Sequence, residues 1–233
     1  MTNRFVSTIS QLRLGIKRAM THKAVGHVLL ALAALTLASS SLMAADSETA
    51  SLITAAAMPD TTNLYTIYSN LGPPKDRYYD QNGELIGGPD SGQYYWWAMP
   101  FTPKANAKVT EIETALLFYS GTTNGVVLSL YNDSNGLPGK AIHTWNLKNL
   151  PLFSGGCCRL DVSKDSKGLT VKKGTQYWVV ASTNSNENDT QDVWCFNYNE
   201  MVGNMAQNYD QGGWRLIQNN PVGAFGVFGE KVK

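Results

Sequence analysis

The sequence predicts an all-β fold, a jelly-roll-like antiparallel β-sandwich of about nine or ten strands, preceded by a cleaved N-terminal signal peptide. Three observations lead there. Short runs rich in Val, Ile, Tyr, Trp and Thr recur along the chain, punctuated by Gly, Asn, Asp and Pro. No stretch carries the apolar period of an amphipathic helix. No segment repeats at a fixed interval, which argues against a propeller or a solenoid.

The first 23 of the 233 residues hold Arg4, Arg13, Lys17, Arg18 and Lys23 and no acid. Ala24 to Ala38 is almost wholly apolar, and small residues follow through Ala44-Ala45. A basic start, an apolar core and a small-residue exit describe a secretory signal peptide, residues 1–45. The apolar run is shorter than the roughly 20 residues a membrane span needs. Residues 46–61 are rich in Ala, Ser and Thr and read as a flexible linker; residues 62–230 form the sandwich. Without residues 1–45 the chain keeps all 18 acids and 14 of its 19 Lys and Arg, a net charge of −4. That balance argues against a nucleic-acid surface. The mature chain has no second run of membrane length, so a secreted, periplasmic or extracellular location is expected.

Taken in order, Leu64 to Tyr68 alternates as a first strand. Tyr78 to Gly92, with Asn82-Gly83 and Gly87-Gly88-Pro89, reads as a long loop. Gln93 to Phe101 is a dense aromatic strand, and alternation sends two of Tyr94, Tyr95, Trp96 and Trp97 to each face. Lys108 to Tyr119 is a long strand. Gly121 to Gly125 turns it back into Val126 to Tyr131, expected to pair with it. Asp133, Asn135, Gly136, Pro138 and Gly139 stop that strand, and Ala141 to Trp145 follows. Cys157 to Val162 alternates; Lys164 to Lys173 is a polar connection. Gln176 to Ser182 and Val193 to Tyr198 are buried strands. Residues 199–212 read as a polar loop. Trp214 to Ile217 and Ala224 to Phe228 close the chain as a hairpin.

Three cysteines remain in the exported chain. An oxidising compartment favours one disulfide and one thiol. Adjacent cysteines bridge each other only with local strain, so Cys195 with Cys157 or Cys158 is the expected pair. Its loop would be worth roughly 3–4 kcal/mol on the chain-entropy account.

Val126 to Gly139, with its Leu-Ser-Leu-Tyr-Asn-Asp-x-x-Gly-Leu-Pro-Gly pattern, resembles the exported bacterial choice-of-anchor β-sandwich domains. Leu64 to Gly72, Ala98-Met-Pro-Phe101-Thr-Pro, Lys173-Gly-Thr-Gln-Tyr177-Trp-Val-Val and Gly213-Trp214 before Ala224-Phe225 are similar to successive strands of the R type. The resemblance spans residues 62–230. It implies a secreted, jelly-roll-like domain and supplies no catalytic residues. No sorting motif or apolar tail follows Glu230.

Chemistry-bearing groupings are sparse. His143 is the sole histidine after the signal, and no Gly-x-Ser-x-Gly elbow accompanies it. Glu111 and Glu113 share one strand face and read as a solvated edge. Asp80, Asn82 and Glu84, and separately Asp133 and Asn135, offer oxygens at alternate positions, so calcium is the one candidate cofactor. The same residues form Asx turns for backbone reasons alone. Tyr94, Tyr95, Trp96 and Trp97 are the candidate ligand-binding residues, because sugar-binding sandwiches stack pyranose rings on exposed aromatics. The expectation is an exported, non-enzymatic protein with a binding or cell-surface structural role, polysaccharide or a cell-surface component its candidate partner. The alternative is a secreted, glycan-active hydrolase using two carboxylates.

Overall fold

A computed structural model describes residues 63–92, 94–153, 157–184, 186, 189–199 and 201–232. The expected signal peptide (1–45) and linker (46–61) lie outside these residues. Among them the chain is nearly all strand, in antiparallel ladders, with a 3₁₀ turn at Pro89–Ser91 and no helix able to span a membrane.

Six strands make the larger sheet, in the order β12 (Trp214–Pro221), β11 (Val202–Tyr209), β3 (Tyr95–Phe101), β9 (Tyr177–Ser182), β6 (Gly125–Ser134) and β7 (Leu137–Lys148). A four-stranded sheet runs β1 (Tyr65–Ser69), β13 (Phe225–Lys231), β4 (Ala107–Thr114) and β8 (Asp161–Val171). A three-stranded sheet runs β2 (Tyr78–Gly87), β10 (Gln191–Asn197) and β5 (Leu116–Ser120).

The two smaller sheets join at Ala115. Its N–H donates to the Ala224 carbonyl at 3.1 Å, and its carbonyl accepts from Cys195 N–H at 2.9 Å. The long strand expected over Lys108 to Tyr119 therefore divides at this residue and serves two sheets. Alternation then builds one core between the layers. Trp97, Met99 and Phe101 of β3, Leu128 and Leu130 of β6, and Val179 of β9 meet Ile112 of β4, Leu116 of β5, Trp194 of β10 and Phe225 of β13.

Several expectations are corrected. Among the described residues there are 13 strands, more than the nine or ten expected. The loop at 78–92 contains β2, and the loop at 199–212 contains β11. Neither has strong β-forming composition; long-range pairing holds them, β2 on β10 and β11 between β3 and β12. The polar connection at 164–173 belongs mostly to β8, which pairs with β4, whereas Cys157 and Cys158 sit in a turn. The expected hairpins also differ. β6 pairs with β7 and β9 instead of β5, and β12 and β13 lie in different sheets.

The β6–β7 hairpin itself is tight. Asn135 (φ 56°) and Gly136 (φ 78°) are both left-handed, the conformation a two-residue Asn-Gly turn requires. Glu111 and Glu113 are not a solvated edge: both are buried, Glu113 completely. Glu113 meets Arg77 at 3.0 Å, and Glu111 meets Lys164 at 3.2 Å.

The disulfide joins Cys157 to Cys158, and Cys195 is a buried free thiol. This corrects the expected Cys195 pairing. Cys195 lies on β10, where Ala115 and Ala224 flank its backbone and Leu117, Val193 and Tyr78 pack in the same apolar cluster. The Cys157–Cys158 turn lies over that cluster, tied by Arg77 N–H to Cys158 Sγ at 3.0 Å and Cys157 N–H to Asp80 Oδ2 at 2.9 Å. Desolvation, with Asp80 nearby, pushes the Cys195 thiol up to about 12.

Candidate binding cleft

The aromatic run divides as alternation requires. Tyr95 and Trp97 point between the layers, where Trp97 is core and Tyr95 packs against it. Tyr94 and Trp96 take the opposite face of the large sheet. There the two rings meet edge to face at 5.5 Å, the Tyr94 hydroxyl accepts from Gln211 at 2.6 Å, and the Trp96 indole donates to Thr183 Oγ1 at 3.2 Å. The four candidate residues therefore do not form one surface.

The inward pair opens onto a cleft of 290 Å³ between β2 and the β3–β11–β12 side of the large sheet. Its lining is Gly83, Glu84, Leu85, Tyr95, Trp97, Gln207 and Asn220. That volume lies just below the usual range for small-ligand sites, about 300–1,000 Å³, and suits one ring-sized group. The register explains the assembly. Trp97 pairs with Gln207 and Tyr95 with Tyr209, so these four side chains share one face. The Tyr95 and Tyr209 rings lie 4.9 Å apart, and Tyr209 is 52% exposed. β2 supplies the opposite wall. Its pairing with β10 skips residues 80–82, and the strand then resumes at Gly83 with Glu84 and Leu85 beside the cleft.

Gly83 has a steric reason. A Cβ there would lie 2.3 Å from the Trp194 carbonyl oxygen and 2.6 Å from a Val193 methyl, so only glycine lets the strand approach β10 at this point.

The polar groups of the cleft differ in what they already hold. The Trp97 indole donates to the Leu85 carbonyl at 2.8 Å and so offers a ligand only its ring. Asn220 donates to Glu84 Oε1 at 3.5 Å, the limit of such a bond. The Gln207 amide and the Tyr95 hydroxyl have no hydrogen-bond partner among the described residues, and no cation there pairs with Glu84. Burial pushes the Glu84 carboxyl up to about 7, against a lowering contribution from Asn220. The cleft thus combines a two-ring aromatic wall with a carboxyl and two amides that have bonding capacity to spare.

The other candidate ligands serve the backbone. Asp80 accepts from Cys157 N–H and from Gln81, and Asn82 Oδ1 accepts from Gly83 N–H. Asp133 accepts from Gly136 N–H at 3.0 Å and from the Trp178 indole and Gln176 amide at 2.8 Å each. Asn135 occupies the hairpin turn. Glu84 alone of the five lines the cleft. Among the described residues no group of three or more His, Cys, Asp or Glu could hold a metal ion. His143 lies 3.8 Å from Asp165 and 4.5 Å, centroid to centroid, from the Trp145 ring, away from the cleft lining.

The sequence pointed to Tyr95, Trp97 and Glu84 but not to Gln207 or Asn220. These two lie on β11 and β12, and only the pairing of β11 with β3 and β12 brings them to the aromatic run. No family model matches this chain, and neither a curated protein nor a solved structure is significantly similar to it.

Proposed function

We propose that the chain is an exported, non-enzymatic β-sandwich protein that binds carbohydrate in the cleft between β2 and β3. The observation that carries this reading is the meeting of Tyr95 and Trp97 with Glu84, Gln207 and Asn220 around one ring-sized space. A sugar ring presents an apolar C–H face and a rim of hydroxyls. Aromatic faces take the first, and amides and carboxyls with free valences take the second. Tyr209, its ring tilted against Tyr95 and half-exposed, extends the aromatic wall outward for a second sugar unit. The motif resemblance to exported choice-of-anchor domains and the signal-like start support display outside the cytoplasm.

A glycan-active hydrolase needs two carboxyls about 5–10 Å apart around the scissile bond. Among the described residues Glu84 is the one acid in the cleft lining, and this favours binding over turnover. The test is a glycan array and polysaccharide pull-down with the unmutated protein, Tyr95→Ala and Trp96→Ala. Retention of a glycan that is lost with Tyr95→Ala and kept with Trp96→Ala is expected. Retention of none, or release of reducing ends during incubation, would overturn the reading.

A further inference from the structure

The lining of the cleft has a sign. Among the described residues its one charged group is the Glu84 carboxyl, and no lysine or arginine lines it. Arg215 is the cross-strand neighbour of Gln207 on β12, but it is exposed and outside the lining. The facing wall is made of Tyr95 and Trp97, whose ring faces carry the negative side of an aromatic quadrupole and attract cations. The Trp97 indole N–H is taken by the Leu85 carbonyl, so that donor is not offered to the ligand. Among the described residues Asn220 is the only side chain holding Glu84, and it does so at 3.5 Å. A carboxyl on one wall and π faces on the other create a site that gains most from a positive ligand.

We propose, building on the carbohydrate reading, that the cleft selects a basic sugar: a pyranose bearing a free ammonium group, with the ring on Tyr95 and the ammonium on Glu84. An ammonium supplies three donors and no acceptor. It would engage both carboxylate oxygens while Gln207 and Asn220 take neighbouring hydroxyls. An N-acetylated sugar has lost the charge and one donor at the same position. An acidic sugar would place like charge against Glu84.

The test is calorimetric titration of the unmutated protein at about pH 7, where the Glu84 carboxyl is partly ionised and the sugar amine partly protonated, so that each charged form favours the other once they meet. The probes are oligomers of equal length: β-1,4-linked glucosamine, its N-acetylated counterpart, and the glucose oligomer. The basic oligomer should bind about tenfold tighter than either neutral one, the difference a charge-assisted hydrogen bond supplies. Glu84→Gln, which keeps the shape of the rim, should erase the difference between the basic and the neutral oligomers. Tyr95→Ala should weaken all three. Equal binding of the basic and neutral oligomers would overturn this inference and leave the carbohydrate reading standing. So would a preference that survives Glu84→Gln. Binding of none would overturn both.

Discussion

The indole N–H of Trp178 donates to Asp133 at 2.8 Å, joining a fully buried tryptophan on β9 to the end of β6. The same carboxyl accepts from the Gln176 amide and from Gly136 N–H. An aspartate that looks like a cation ligand in the sequence is therefore the fastener of the β6–β7 hairpin. Burial raises its pKa, but the three hydrogen bonds outweigh that and hold it below the usual carboxylate range.

Asp133→Ala leaves the Trp178 indole N–H without its acceptor in a buried setting. The expected loss is about 1–3 kcal/mol in urea unfolding near neutral pH. The Asp133 contribution is fully present above the unfolded carboxylate pKa and fades as pH falls through the depressed folded one. A loss below about 0.5 kcal/mol would show that the bonds are not made in solution.

What was legible in the chain depended on where the information lies. The alternation of Tyr94 to Trp97 is local, and it correctly divided the run between two faces. Asn135-Gly136 is local chemistry as well, and it marked its turn. By contrast β11 reads Val-Gly-Asn-Met-Ala-Gln-Asn-Tyr, poor strand material, and becomes a strand because β3 and β12 flank it. Gln207 and Asn220 were invisible as site residues for the same reason. The burial of Glu113 needed Arg77, 36 residues away. The choice of Cys157 and Cys158 as partners likewise rested on where β10 places Cys195.

Arg77 and Glu113 make a second prediction. Desolvation pushes the Glu113 carboxyl up to about 7, while Arg77 opposes that rise. Arg77→Met removes the partner of a buried carboxylate, with an expected loss of about 3 kcal/mol above neutrality. Below about pH 5 the carboxyl is already neutral and the loss shrinks. Chemical unfolding at the two pH values checks this; a pH-independent loss would mean that Arg77 acts through packing alone.

The cysteines make a third. A thiol assay on the unreduced, denatured chain should count one thiol, and peptide mapping should place the bridge between Cys157 and Cys158. In the native protein the count should fall to zero, because Cys195 is buried and its thiolate disfavoured. Three thiols after denaturation, or a bridge involving Cys195, would contradict the assignment.

Glu84 makes a fourth. Its folded pKa, about 7, is above the ordinary carboxyl value of 4.5. The folded state therefore binds the proton more tightly, and this group's contribution to stability declines as pH rises from about 4.5 to about 7. Glu84→Gln removes that decline. Relative to the unmutated protein, the variant should gain about 1–2 kcal/mol between pH 4 and pH 8, allowing for the partial exposure of the carboxyl. Parallel stability profiles would show that Glu84 is well solvated in the cleft.

The most direct test of the central claim is the affinity of Tyr95→Ala for the oligosaccharides the unmutated protein retains. Tyr95 forms the open part of the aromatic wall, only partly buried, so its removal leaves the Trp97 core in place. The account predicts a fall of at least about fivefold, the worth of one aromatic face, with Trp96→Ala on the opposite side of the sheet unchanged. Unaltered binding by Tyr95→Ala, or a loss confined to Trp96→Ala, would contradict it.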